Sequence, residues 1–356
     1  MNLFEIFCAK IFAVYWETLY SNSIPYLGAS LFPNKRMQGL RLDWIKGADQ
    51  LPFMLMPSAF DAKPVLRDRG GVASVSLRMP FFRESMRIGE EERQQLLTML
   101  STNEQFAAPL INKIYDDMTA LVDSAILVPE VMRFSLMQTG TITIQSPNES
   151  GINVSYNYNY DPNGKWAADN VIELMPALYW GEPTAHPIAD ILAVKRAAQK
   201  KGTVLTRAII SSEIWGKLLT NTTIGKDIFP LAENAALSDS DLQRYLVSKT
   251  GITFTVYEKM YKDLSGVEKP FMMPDRVIFL PASSVGNTFF GTTPEEADLM
   301  TGNVDADVSI VGGGIAVLTK KESLPVNIVT AVSEIVLPSF ENMNKVYVLI
   351  VDEEEA

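Results

Sequence analysis

Apolar residues return every three or four positions along one stretch of the chain: Phe106, Leu110, Ile114, Met118, Leu121, Ala125, Val128, Met132 and Leu136. That is the period of a single helix face, and it predicts a helix over residues 101–138. Ser101 and Glu104 have the spacing of a capping box, in which the hydroxyl takes an exposed N–H and the carboxylate reaches back to the cap. Gly140 supplies a stop. At about 1.5 Å per residue such a helix would span roughly 50 Å, far beyond the usual length of roughly 11–12 residues. Pro129 lies inside it, donates no N–H and crowds the preceding turn. Two readings stay open: one long helix bent at Pro129, or two core helices that meet there.

The N-terminus carries a second helical stripe, Leu3, Phe7, Ile11, Val14 and Tyr15, which needs a protein surface to cover it. Glu5, Lys10 and Glu17 interrupt the run and no basic segment precedes it, which argues against a signal peptide or a membrane span. Pro25, Gly28, Pro33 and Gly39 then break any regular element, so residues 21–46 read as an extended arm lying on its own body or on a neighbour.

Strand-like alternation follows. Leu40, Leu42 and Trp44 alternate with Arg41, Asp43 and Ile45; residues 51–56 are an apolar run; Ala73, Val75, Leu77 and Met79 alternate with Ser74, Ser76 and Arg78. Between them lies SAFDAKPVLRDRGG, with Pro64 and the pair Gly70 and Gly71. The pattern predicts a long hairpin with a charged tip. A two-stranded ribbon is marginal in water, so it either completes itself against another subunit or folds back on its own domain. A short helix opening on Glu90, Glu91 and Glu92 leads into the long one, the acids suiting the positive end of its dipole. After Gly140, TITIQ and INVSYNYNY flank the turn SPNESG and predict a second hairpin with Tyr156, Tyr158 and Tyr160 on one half-exposed face.

From about Lys165 to Pro325 helices and strands alternate: a helix over 188–200, a strand over 203–211 running into helix SEIWGKLLTN, a helix over 239–249 capped by Ser238 or Asp239, and strands over 252–261 and 276–281. That alternation predicts an α/β or α+β domain with its own core. The chain then returns to strands, DVSIVGGGIAVLTKK and PVNIVTAVSEIVLPSF, and ends on acidic residues.

Composition narrows the chemistry. The 356 residues are 47% hydrophobic and 21% charged, normal for a folded protein, and the formal net charge of −11 does not suit a protein that grips nucleic acid by neutralising phosphates. With one cysteine, Cys8, and one histidine, His186, neither an intrachain disulfide nor a His/Cys zinc site is available. His186 precedes Pro187 at an apparent helix start and reads as a turn residue. Gly312, Gly313 and Gly314 follow a strand, as a phosphate loop does, but IAVLTKK continues as strand and no GK[ST] follows; a bulge, bend or close backbone approach is expected. Glu295, Glu296, Asp298, Asp305 and Asp307 are rich in oxygen ligands yet match no calcium loop, and read as a solvated acidic loop. The residues offer arms and projections, with no catalytic, cofactor-binding or metal-ligating set.

IPYLGASLFPNKRMQGLRLDWIKG, the RDRGG of residues 67–71, RQQLLTML, FMMPDRVIFLPASSVGNTFFGTT and VLPSFENMNKVYVLIV, in that order and spacing, resemble the lambda-type tailed-phage major capsid proteins, the phage capsid protein E family, over nearly the whole length. The resemblance implies an α+β, HK97-like capsid fold: an N-arm over 1–38, an extended E-loop hairpin over 39–88, a P domain over 89–165 with the spine helix 101–138, an A domain over 166–325, and a return to the P domain over 326–356. It implies a major capsid protein assembling through pentamers and hexamers into the icosahedral shell around phage double-stranded DNA, located in the virion and, during assembly, in the host cytoplasm. It implies homo-oligomers as partners, with a scaffolding protein, a portal and a decoration protein, no sequence-specific DNA binding, no membrane and no enzyme activity. Lys63, Arg67, Asp68, Arg69, Gly70 and Gly71 become candidates for contacts between subunits, and Pro129 a candidate hinge in the spine. Members of the wider fold crosslink through Lys and Asn; Lys46 and Lys63 lie in or near the E-loop, but nothing in the sequence itself carries such chemistry. The rival readings are an encapsulin-type nanocompartment shell and a nucleotide-binding α/β enzyme using Gly312–Gly314.

Overall fold

The computed structural model describes residues 3–20, 26–45, 74–102, 104–145, 155–229, 237–302 and 306–353. Two compact units are woven from interleaved stretches: Met1–Asp43, Ser76–Met132 and Asn287–Ser339 make one, and Trp44–Val75, Arg133–Gly286 and Phe340–Ala356 the other.

The first unit holds a six-stranded sheet. Its centre is the 14-residue strand Val326–Ser339, rich in β-branched residues and buried along most of its length, as a strand paired on both edges should be. It pairs antiparallel with Ile315–Ser323, with Phe81–Ile88 and with Asn287–Phe290. Asp307–Val311 extends the sheet beyond Ile315–Ser323, and Asn34–Arg36 adds in parallel to Asn287–Phe290. Against it pack Phe12 and Trp16 from helix Ala9–Tyr20, Phe7 before it, and Ile114, Met118 and Val122 from the long helix. The N-terminal stripe is therefore phased differently from the sequence expectation. Ile11 and Val14 are 51% and 66% exposed, while Phe12 and Trp16 are buried. The reason is a break: Leu3–Ile6 is a separate turn of helix, so the face starts again after Phe7 and Cys8. The arm also gains regular pieces, a short helix Leu27–Leu31 and the strand Asn34–Arg36. Over these residues it lies on its own body: the Thr288 hydroxyl donates to the Phe32 carbonyl at 3.1 Å and the Met37 N–H to the Phe290 carbonyl at 2.9 Å.

The long helix is one element, Glu104–Thr139, 36 residues with Pro109 and Pro129 inside it, and helix Glu90–Thr102 precedes it. The two-helix reading at Pro129 fails. The capping box fails too: Ser101 sits in the last turn of the preceding helix, its hydroxyl donating back to the Thr98 carbonyl at 2.8 Å. The stop is where the glycine put it. Gly140 has φ +71°, and its N–H reaches the Leu136 carbonyl at 2.9 Å. A Cβ there would lie 2.9 Å from the Met343 side chain, so the site wants glycine on two counts. Before Pro129 the helix has one buried stripe and an exposed face carrying Lys113, Asp116 and Asp117; after it, Glu130, Met132, Arg133, Phe134, Leu136, Met137 and Gln138 are all buried.

The second unit is built on a five-stranded mixed sheet in the order Val171–Glu173, Tyr347–Ile350, Arg276–Pro281, Leu205–Ile210, Thr253–Val256. Arg276–Pro281 is buried at every position. Helices Pro187–Lys200, Ser212–Thr220 and Asp239–Thr250 cover the sheet through Ile191, Val194, Ile214, Leu218, Leu242 and Leu246. Two of the three starts follow the cap rule: the Ser211 hydroxyl accepts the Ile214 N–H at 3.3 Å and the Ser238 hydroxyl the Asp241 N–H at 3.2 Å. The strand expected over 252–261 is interrupted. Thr253–Val256 joins the sheet, Tyr257 turns inward to stack on Phe134 at 4.8 Å, and Met260–Lys262 pairs instead with Glu268–Pro270 in a separate hairpin.

Candidate functional site

Most of the residues of candidate chemistry take structural places in the fold. His186 occupies the cap position of helix Pro187–Lys200, where its carbonyl accepts the Ala189 and Asp190 N–H groups at 2.9 and 3.2 Å and its side chain is exposed. Gly312 and Gly313, at φ +58° and +84°, form the tight turn that joins Asp307–Val311 to Ile315–Ser323, closed by the Gly314 N–H on the Val311 carbonyl at 3.2 Å. Two successive positive φ values match the twist of a hairpin. A Cβ on Gly314 would fall 2.5 Å from Phe290 Cβ, so the expected close backbone approach is real. A phosphate loop must open a helix, and here a strand follows; the nucleotide-site reading of Gly312–Gly314 falls.

The acidic neighbourhood is not a solvated loop. Glu295 is buried, pairs with Arg83 and accepts the Ser333 hydroxyl at 2.7 Å; Glu296 pairs with Arg36, whose guanidinium also donates to the Gly313 carbonyl at 3.2 Å. Both glutamates stand in the first turn of helix Pro294–Thr301, capped by Thr293, so the dipole favours their charge. Asp307 accepts the Lys10 N–H at 3.1 Å. Asp305 lies outside the described residues, and among those no group of three or more His, Cys, Asp or Glu could hold a metal ion. Among the described residues no helix is long and apolar enough to cross a membrane.

Two buried polar contacts have no counterpart in the sequence expectations. Glu130, immediately after Pro129, is fully buried and accepts the Gly28 N–H at 2.8 Å, so the arm is tied to the long helix at its proline. Gln138 donates to the carbonyls of Phe134 and Phe271 at 3.0 and 2.9 Å and accepts the Met273 N–H at 2.7 Å. Next to it Asp275 and Arg276 pair through 2.8 and 2.6 Å bonds, and Arg276 reaches the Gln138 carbonyl at 3.4 Å. The signal available in the sequence is slight: Glu130 and Arg133 are charges set in an otherwise uncharged run from Ser124 to Asn148. Asp123 accepts the Trp16 indole N–H at 3.4 Å; burial raises its pKa above the ordinary carboxylate value and the indole bond partly opposes the rise.

Of the long hairpin, the base is described. Arg41–Ile45 pairs with Ser74–Arg78, Leu42, Trp44 and Met79 are buried, and Trp44 stacks on Tyr160 at 5.2 Å. Lys46, Lys63, Arg67, Asp68, Arg69, Gly70 and Gly71 lie outside the described residues. The tyrosine hairpin pairs Thr141–Gln145 with Ser155–Asn159. Its ring face is more enclosed than expected. Tyr158 and Tyr160 are buried, burial lifting the Tyr160 phenol well above its usual pKa, and Tyr156 stacks on Tyr158 at 6.2 Å.

The chain was compared with known proteins. The family model described as Phage major capsid protein E matches residues 15–312. No curated protein matches. Among solved structures, a phage-related protein from Bordetella bronchiseptica RB50 is similar at 12% identity and a TM-score of 0.54, covering 96% of each chain. A subunit of the cyanophage A-1(L) capsid is similar at 12% identity and a TM-score of 0.53, covering 93% of this chain and 94% of that one. At such identity the likeness is one of fold.

Proposed function

This chain belongs to the phage major capsid protein E family and has the HK97-like α+β fold, and from that premise we propose how the subunit is used. It is a major capsid protein of the virion, structural and not enzymatic. Copies assemble through pentamers and hexamers into an icosahedral shell around double-stranded DNA, and assembly takes place in the host cytoplasm. A scaffolding protein guides it, a portal occupies one vertex and a decoration protein reinforces the surface. The DNA is enclosed without sequence-specific contact, for which a net charge of −11 is suited because the wall and the phosphates repel.

Within the subunit, residues 1–38 serve as N-arm, 39–88 as E-loop, 89–165 with 326–356 as P domain and 166–325 as A domain. Lys63, Arg67, Asp68, Arg69, Gly70 and Gly71 at the E-loop tip meet a neighbour. Pro129 serves as a hinge of the spine during expansion of the shell; its missing N–H leaves one carbonyl of the helix without its usual partner. The encapsulin reading is not favoured, since the family match is to phage capsid protein E.

The single observation that carries the shell reading is the family match over residues 15–312. Negative-stain microscopy of the expressed chain, alone and with the product of the neighbouring scaffold gene, tests it. Rings, shells or tubes are expected; a monomer under every condition overturns the reading. In the same assay, deletion of residues 58–71 leaves a folded subunit that fails to close shells, and Pro129→Ala particles assemble but expand poorly. Global unfolding of the deletion, or normal expansion of Pro129→Ala, removes the corresponding role.

A further inference from the structure

The small hairpin in the second unit belongs to neither large sheet. Met260 pairs with Pro270, Tyr261 with Lys269 and Lys262 with Glu268. Tyr261 packs against Phe271 at 4.9 Å and anchors the base. The turn is held by one carboxylate. Asp263 accepts the Ser265 N–H at 2.9 Å, the Ser265 hydroxyl at 2.6 Å and the Val267 N–H at 3.0 Å, and pairs with Lys269 at 2.9 Å. The Asp263 N–H donates to the Val267 carbonyl and the Gly266 N–H to the Asp263 carbonyl, both at 2.9 Å, with Gly266 at φ +80°. These bonds hold the Asp263 carboxyl well below its ordinary pKa.

Against this rigid polar frame, Met260, Leu264 and Val267 are 54%, 65% and 54% exposed. An isolated two-stranded hairpin is usually marginal because it lacks a face to bury. Here the turn is ordered by polar bonds, and the branched aliphatic side chains are displayed. A tip whose ordering is complete before contact loses little further freedom on binding. Its charge sets it apart as well. Between Glu258 and Pro270, Glu258, Asp263 and Glu268 are balanced by Lys259, Lys262 and Lys269, so the element is neutral in a chain of net charge −11. Two copies of such a chain repel where acidic surface meets acidic surface. A neutral apolar tip is where they can close without that penalty.

We infer that the tip Leu264–Val267 is a contact between subunits, seated against a second copy of this chain. The inference rests on the shell reading above. The test uses the full chain with Leu264→Cys in a Cys8→Ser background, and compares the rate of maleimide labelling in unassembled subunits and in purified particles, made by this chain alone or with the scaffold gene product. Labelling at least ten-fold slower in particles is expected. Leu264→Asp is expected to lower particle yield at least ten-fold while the subunit keeps its circular dichroism spectrum and unfolding midpoint. Equal labelling in both states overturns the inference, and so does equal protection of the unassembled subunit by a co-expressed second phage protein, since the occupant is then that protein. If Leu264→Asp does not fold, the cysteine variant decides alone. Failure of the wild-type chain to form any particle, alone or with the scaffold gene product, overturns the shell reading itself; hairpin variants that assemble with normal yield and label equally in both states, beside normal wild-type particles, overturn only the hairpin contact.

Discussion

The two compact units reach stability by different routes. The six-stranded unit is drawn from three remote stretches of chain and stitched between them by charge: Arg36 with Glu296, Arg83 with Glu295, Glu130 with the Gly28 N–H, Glu90 with the Val326 N–H. The five-stranded unit takes most of its residues from one stretch, Arg133–Gly286, and its helices are set by local caps over an apolar core. Its extensive buried polar knot, Gln138 with Phe271, Met273 and Arg276, joins that stretch to itself. The lesson concerns what each unit tolerates. A unit assembled from distant segments depends on side chains that specify which segment meets which; a unit formed from contiguous chain depends on burial and caps.

The harshest challenge to this contrast is Gln138→Ala. It takes the acceptor from the Met273 N–H and one donor from the Phe271 carbonyl and leaves a void where a buried side chain stood, and a loss of about 4 kcal/mol is expected. Hydrogen exchange should quicken in Arg276–Pro281 and leave Val326–Ser339 protected. Equal loosening of both sheets would erase the distinction between the units. Next comes Glu130→Ala, which leaves the Gly28 N–H unpaired and a void beside it; about 3 kcal/mol is expected by denaturant unfolding, with early exchange at Leu27–Leu31. A neutral Glu130→Ala would mean that charge does not stitch the arm. Ser238→Ala removes one local cap and should lower stability by about 1 kcal/mol, read as a shift in the unfolding midpoint confined to the five-stranded unit.

The mildest change sharpens the electrostatic side. The folded Asp123 carboxyl titrates above its unfolded value because burial disfavours the charge. A group whose pKa is raised by folding adds stability at low pH and loses it as pH rises through the folded value. The Asp123 contribution is therefore present below about pH 4 and lost above it. Asp123→Asn keeps an acceptor for the Trp16 indole and should flatten the pH dependence of the unfolding midpoint just above about pH 4, with little change in the midpoint at low pH. An unchanged profile would show that the site is already well solvated.

Much of the architecture was legible because helix and strand periods are local. The stripe from Leu110 to Leu136, the stop at Gly140, the cap at Ser238 and the strand Arg276–Pro281 follow from spacing and from residues whose backbone preferences are strong. The errors share a cause. Ser101 had the right partner at the right spacing, yet its hydroxyl serves the end of one helix instead of the start of the next. Ile11 and Val14 fit a stripe that a break at Phe7 and Cys8 re-phased. Pro129 threatens a helix that nonetheless continues past it. Burial on nearly every side from Glu130 to Gln138, several side chains at about 1.5–3 kcal/mol each, outweighs the about 3 kcal/mol that an interior proline costs through its missing N–H and its crowding of the preceding turn.

Periodicity, punctuation and the order of the landmark stretches were enough to give the α+β class, the long helix, the hairpins and the family, since each depends on residues close together in the chain or on a linear order. Which acids are buried, which tyrosines are enclosed and which hairpin keeps its apolar side chains exposed were settled only by tertiary structure. Glu130 meets Gly28, Glu295 meets Arg83 and Tyr160 meets Trp44 across long separations in sequence. Burial is a property of what arrives from elsewhere, and no local pattern encodes the identity of the residue that arrives.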